Sequence, residues 1–198
     1  MSRIKRELKN NEQGTAGIAQ WLDALTHEER VAELRTLSAG DMRQLWTLTE
    51  GNRTTLLDMV PDTVPELEPV HHVGWNSLPV FRAFEKRFCR APHGDGTAIV
   101  GYNEGQTRGV VGPGYFVVRD CGDDERGGVV IDYTLLPEQI PTDWPEVRCN
   151  TKGVSNLVYA YMHDYMRSLS ANVTVGRAWR KGKVANAYFV LCREPSPS

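Results

Sequence analysis

No run of apolar residues in this sequence approaches the roughly 18 that a membrane-spanning helix needs, so no segment reads as a span. The opening MSRIKRELKNNEQ is charged and has no apolar core segment, so it reads as a solvated lead-in over residues 1–14, not a secretory signal. Cys89, Cys121, Cys149 and Cys192 include no C-x-x-C pair, which excludes zinc-ribbon and thioredoxin-type chemistry. There is no H-E-x-x-H, no Gly-Lys-Ser/Thr loop and no dinucleotide fingerprint opening a helix. No internal repeat is visible. Reduced cysteines and the missing signal together give a cytoplasmic expectation.

What is present is a 198-residue chain with 40% hydrophobic residues and a net charge of -2, enough for one sizeable core. The near-neutral total hides an uneven spread. Residues 91–147 carry 3 basic and 10 acidic side chains, whereas residues 148–198 carry 8 basic and 2 acidic. The acidic middle and basic end either neutralise each other or leave a basic face for an anionic partner.

The first third has helical periodicity. Ile18, Trp21, Leu22 and Leu25 share one face, and Thr26 with Glu29 has the spacing of a capping box. Val31, Leu34 and Leu37 make the next stripe, and Met42, Leu45 and Trp46 the one after. These predict a helical lobe over residues 15–60. Three prolines in PDTVPELEP then predict an extended connector over 61–76.

Residues 77–193 read as an antiparallel α+β domain. The segment NSLPVFRAFEKRF is expected to be helical, with Phe81, Phe84 and Phe88 on one face. TAIVGY, YFVVRD and GVVIDYTLL are rich in β-branched and aromatic residues and predict strands. Residues 155–170 predict a tyrosine-rich helix with Val158, Met162, Tyr165 and Leu169 aligned. Two strands flanking RKGK follow, and residues 194–198 are expected to be disordered. The predicted fold is therefore α+β: a small N-terminal helical lobe, then an antiparallel sheet of about five strands with helices packed on one face.

Three functional readings follow. In the first, the sheet and the tyrosine-rich helix enclose a pocket for a small, partly apolar molecule, with Tyr102, Arg108, Tyr161, Met162 and Tyr165 contacting it. The glycine-rich stretch GYNEGQTRGVVGPG would border it as a mobile loop, because it runs into a strand and Pro113 removes an N–H donor that a phosphate loop would use. In the second, residues 15–50 dock a protein partner through an exposed apolar patch. In the third, His93 and Asp95, with Cys89 or His163, form an acid–base or metal-assisted site. Spacing alone qualifies none of these as catalytic, assigns no metal and names no cofactor. The basic turn with Trp179 has the residue types of a single-strand clamp, but the acidic segments elsewhere argue against nucleic acid.

Overall fold

Alternation with a period of two governs the chain from residue 70 onward. In the computed structural model, which describes residues 1–10, 14–79, 82–106 and 108–195, eight antiparallel strands form a closed barrel in sequence order. They are β1 (Val70–Asn76), β2 (Ala83–His93), β3 (Gly96–Glu104), β4 (Phe116–Asp120), β5 (Val129–Asp132), β6 (Met162–Ser170), β7 (Val173–Arg180) and β8 (Lys183–Arg193). β8 pairs back onto β1, with Gly74 opposite Leu191, and leaves no open edge.

This corrects the expected open α+β sheet of about five strands. Two segments expected as helices are strands. Within 77–88, Phe84, Lys86 and Phe88 alternate on the barrel interior, and the charged Lys86 interrupts the apolar signal that would have marked a strand. Within 155–170 only α7 (Ser155–Val158) is helical. From Met162 onward the chain is β6: Met162, Asp164 and Met166 point into the barrel, while Tyr165 and Leu169 pack outward. A strand buried on both faces satisfies helical spacing as readily as strand alternation, which is why the periodicity misled. VHHVGWN, at the end of the segment read as a connector, is β1. Phe81 and residues 196–198 lie outside the described residues.

The outer wall of β6–β8 is covered by the N-terminal helices. These are α1 (Arg3–Asn10), α2 (Gly14–Asp23), α3 (His27–Leu34) and α4 (Ala39–Leu48). Residues 3–10, read as a solvated lead-in, form α1 and bury Ile4 and Leu8. The capping box at Thr26 and Glu29 is present, and a second, Ser38 with Asp41, starts α4. Ile18, Leu22, Leu45 and Trp46 meet Val130, Tyr165, Val175 and Val190 from the barrel in one apolar layer. No large hydrophobic side chain between residues 15 and 50 is exposed, so the patch expected of a docking lobe is spent on the barrel.

The interior is built around paired glycines and phenylalanines. Gly74 lies opposite Phe84, Gly101 opposite Phe116, and Gly176 opposite Phe189. Each ring lies over its glycine, so an added Cβ at Gly176 would fall 2.1 Å from the Phe189 ring. Gly176→Ala should therefore cost about 1–3 kcal/mol by overpacking, read as a lowered urea midpoint with an unchanged slope.

One end of the barrel is closed. α5 (Leu56–Met59) and the chain that follows it bury Met59 and Val60 against the interior residues Val70, Phe88 and Ile99. Arg90 donates to the carbonyls of Val60, Pro61 and Val64 at 3.2, 3.2 and 3.0 Å. The His72 ring Nε2 lies 2.9 Å from the Met59 carbonyl.

Candidate functional site

The other end opens into a cavity of about 220 Å³. Alternation decides what lines it. Phe84 and Lys86 come from β2, Asn103 from β3, Met162 and Asp164 from β6, and Phe189 from β8. The lining is mostly apolar, with Lys86, Asn103, Tyr133 and Asp164 gathered in one polar floor and Asn76, Glu104, Gln106 and Arg108 as further polar residues.

That floor is a four-residue network. Lys86 Nζ donates to Asn103 Oδ1 at 2.8 Å, to the Tyr133 hydroxyl, and to Asp164 Oδ2 at 3.4 Å. The Tyr133 hydroxyl in turn lies 3.3 Å from Asp164 Oδ2. Asn103 Nδ2 donates to the Gly114 carbonyl at 3.1 Å, which fixes the orientation of its amide. The side chains of Lys86 and Asp164 are 3% and 4% exposed, so this is a buried ion pair. Rings crowd the ammonium: Phe84, Phe116, Tyr133 and Phe189 have centroids 5.6, 5.3, 5.1 and 5.4 Å from Nζ. Tyr159 stacks on Tyr133 at 5.4 Å and 10° and carries the aromatic wall upward.

Burial dominates the protonation of this pair. It lowers the Lys86 pKa, against the attraction of Asp164. It raises that of Asp164, against Lys86 and Tyr133. Both shifts disfavour the charged forms, and the attraction between the two groups opposes them. The Tyr133 phenol is pushed well above its ordinary value, by burial first and by Asp164 second, and stays protonated. Asp164 Oδ1 is buried with no hydrogen-bond partner among the described residues. A buried carboxylate oxygen without a partner costs free energy, and a donor on a bound molecule would remove that cost.

The rim has a different character. α6 (Arg108–Val111) and α7 stand at the mouth, tied by the Ser155 hydroxyl donating to the Val111 carbonyl. Arg180 secures α7 by donating to the carbonyls of Leu157 and Asn156 at 2.8 and 2.7 Å. Arg108 Nε bonds Glu104 Oε1 at 2.9 Å. Val110 and Leu157 are 75% and 71% exposed at this rim.

Of the residues expected to contact a ligand, Arg108 and Met162 line the cavity. Tyr102 lies outside the barrel, 4.9 Å from Trp144, and Tyr165 packs against Trp179 under the helical layer. Tyr161 is 48% exposed beneath Lys181, with its ring centroid 5.3 Å from Nζ. His93 faces Glu138 at 3.7 Å, and Asp95 is exposed in the β2–β3 turn. His163 lies 3.3 Å from Asp132, on the opposite face of β6 from Asp164. Cys89 is buried and its thiol is pushed up to about 12 by that burial. Among the described residues no group of three or more His, Cys, Asp or Glu could hold a metal ion. Trp179, on the basic hairpin, is partly buried against Trp46 and Tyr165, not presented as a stacking platform. No helix among the described residues is long and apolar enough to cross a membrane.

Comparison with protein-family models, curated proteins and solved structures found no match to this chain. The chemistry of the cavity is therefore the ground on which function is read. A closed barrel with buried aromatic clusters is compatible with small-molecule binding.

Proposed function

We infer that the protein binds one small, largely apolar molecule in the open end of the barrel, with a single polar group directed to the floor. The observation that carries this reading is the buried network of Lys86, Asp164, Tyr133 and Asn103 at the base of a cavity whose lining is otherwise mostly aromatic and aliphatic. Apolar walls supply affinity through burial, and a few convergent polar groups supply orientation. Asp164 Oδ1 accepts a hydrogen bond from the ligand, and Asn103 and Tyr133 hold Lys86 in place. The glycine-rich segment contributes Gly105, Arg108 and Val111 to the entry, which the exposed apolar side chains of α6 and α7 border.

Ala178 lines the cavity and sits opposite Asp164 on the adjoining strand. Ala178→Trp fills the space above the polar floor. Calorimetric titration of the wild type with cinnamyl alcohol, an aromatic ligand with one hydroxyl, is expected to give saturable one-to-one binding. The Ala178→Trp variant, with its fold checked by circular dichroism, should weaken that binding about tenfold or more, equivalent to about 1.4 kcal/mol. Equal binding by both proteins would place the ligand elsewhere and end this reading.

A further inference from the structure

We propose that Lys86 captures a carbonyl-bearing ligand covalently, as an iminium ion held against Asp164. The inference rests on the pocket reading above and names the ligand class: a small aldehyde or ketone with an apolar, preferably aromatic, body, whose carbinolamine hydroxyl is the donor for Asp164 Oδ1.

The geometry favours a neutral carbonyl over an anion. The three donor positions of the Lys86 ammonium already face Asn103, Tyr133 and Asp164. Asp164 is a resident counterion within 3.4 Å, so the pair has no net positive charge to offer a carboxylate. An incoming carboxylate would instead face Asp164 itself in a low-dielectric space. A carbonyl brings no charge, and Lys86 belongs to the cavity lining.

The step balances with the groups present. Lys86 passes a proton to Asp164 and becomes a neutral amine. The amine nitrogen bonds to the carbonyl carbon, Asp164 returns its proton to the oxygen, and Asp164 then carries a second proton from that nitrogen to the same oxygen and ends ionised. The C–O bond breaks, water leaves, and a C=N double bond forms. The nitrogen keeps one hydrogen and one positive charge. The iminium therefore occupies the place of the ammonium, beside the same carboxylate and within the same cage of four rings. Acylation of the amine would erase that charge and strand Asp164. The burial that disfavours both charged forms also favours the neutral pair from which attack begins. Apolar walls keep bulk water from the C=N bond and slow its hydrolysis. Asn103 and Tyr133 are positioning residues here.

The test is reductive trapping. The wild-type protein is incubated with cinnamaldehyde and cyanoborohydride at about pH 6, where exposed lysines, with pKa near 10.4, are almost wholly protonated. Digestion and mass spectrometry then locate the label, which adds the mass of the aldehyde less one oxygen. The expected result is that Lys86 takes nearly all of the label, while Lys5, Lys9, Lys152, Lys181 and Lys183 take little. Ala178→Trp should reduce the label on Lys86 and leave the others unchanged. Binding of cinnamyl alcohol with no adduct at Lys86 overturns the imine and leaves the pocket reading standing. Label spread evenly over the surface lysines also overturns it. If neither the alcohol nor the aldehyde binds, the pocket reading fails and the imine fails with it.

Discussion

Asp164→Ala is expected to destabilise the protein by about 3–5 kcal/mol, because it leaves the Lys86 ammonium buried without its counterion. Asn103 and Tyr133 remain as hydrogen-bond acceptors but carry no charge to balance it. The reverse change, Lys86→Met, strands the Asp164 carboxylate among the same rings and should cost a comparable amount. The double variant Lys86→Met with Asp164→Leu removes both charges together. It should recover most of the loss, since a well-packed apolar pair often equals or exceeds a buried ion pair in stability. Urea melts of the wild type, Lys86→Met, Asp164→Leu and the double variant form a double-mutant cycle that measures the coupling directly. A double variant no more stable than either single would show that the pair is not the organising contact of the interior. Recovery of stability in the double variant would show that an apolar floor holds the barrel as well as the ion pair does.

The second large effect is loss of stability in acid through His72. This ring is wholly buried, 4.6 Å from Phe88, with Arg193, His71 and Lys86 near enough to disfavour a charge on it. Burial first, and those charges after it, lower its pKa from 6.5 to about 3, against the hydrogen bond to the Met59 carbonyl. The folded-state value is thus depressed below the unfolded one. Above about pH 6.5 neither state binds the proton and stability is full. As pH falls below that, the unfolded chain takes up a proton that the folded chain refuses, and stability declines until about pH 3. Between pH 7 and pH 4 the loss from this residue is on the order of 3 kcal/mol. Asp164, with its pKa raised by burial, works in the opposite direction, so the comparison must isolate His72. His72→Gln preserves a donor for the Met59 carbonyl and cannot titrate. The stability difference between wild type and this variant should swing toward the variant as pH falls from 7 to 4. A difference independent of pH would show that the ring titrates alike in the folded and unfolded chains, and a swing toward the wild type would show that the folded chain binds the proton more tightly; either contradicts the account.

Parts of this structure were legible in the sequence. The helical stripes at Ile18–Leu25 and Met42–Trp46, and the Thr26–Glu29 box, are local signals, and they appear as helices with the apolar face buried. The alternation of GVVIDYTLL places Val129, Ile131 and Tyr133 together, and they meet inside the barrel. Barrel closure was not legible. It depends on β8 reaching β1, a pairing between residues more than a hundred positions apart that no local pattern encodes. β2 and β6 were hidden for a chemical reason. Each carries a charged residue between apolar ones on its interior face, Lys86 and Asp164, where strand patterns expect an apolar one. Those two residues are the centre of the candidate site. The feature that obscured the fold is thus the one at the centre of the candidate site: a single charge within Phe84–Lys86–Phe88, matched by one within Met162–Asp164–Met166, is the sequence signal of a buried pair. Tyr165 was placed beside Met162 by helical spacing, and strand alternation turns it, like Tyr102, outward.

The measurement that bears most directly on the open-ended cavity is a methyl NMR titration of methionine-labelled protein with cinnamyl alcohol. The five methionines report on separate places: Met162 in the cavity, Met166 deeper in the barrel, Met59 at the closed end, Met42 in the helical layer and Met1 at the terminus. Saturable movement of the Met162 signal, with Met42 and Met59 unmoved, is the expected result. A Met162 signal that stays fixed while the ligand binds, or movement confined to Met42, would contradict a ligand site in the mouth of the barrel.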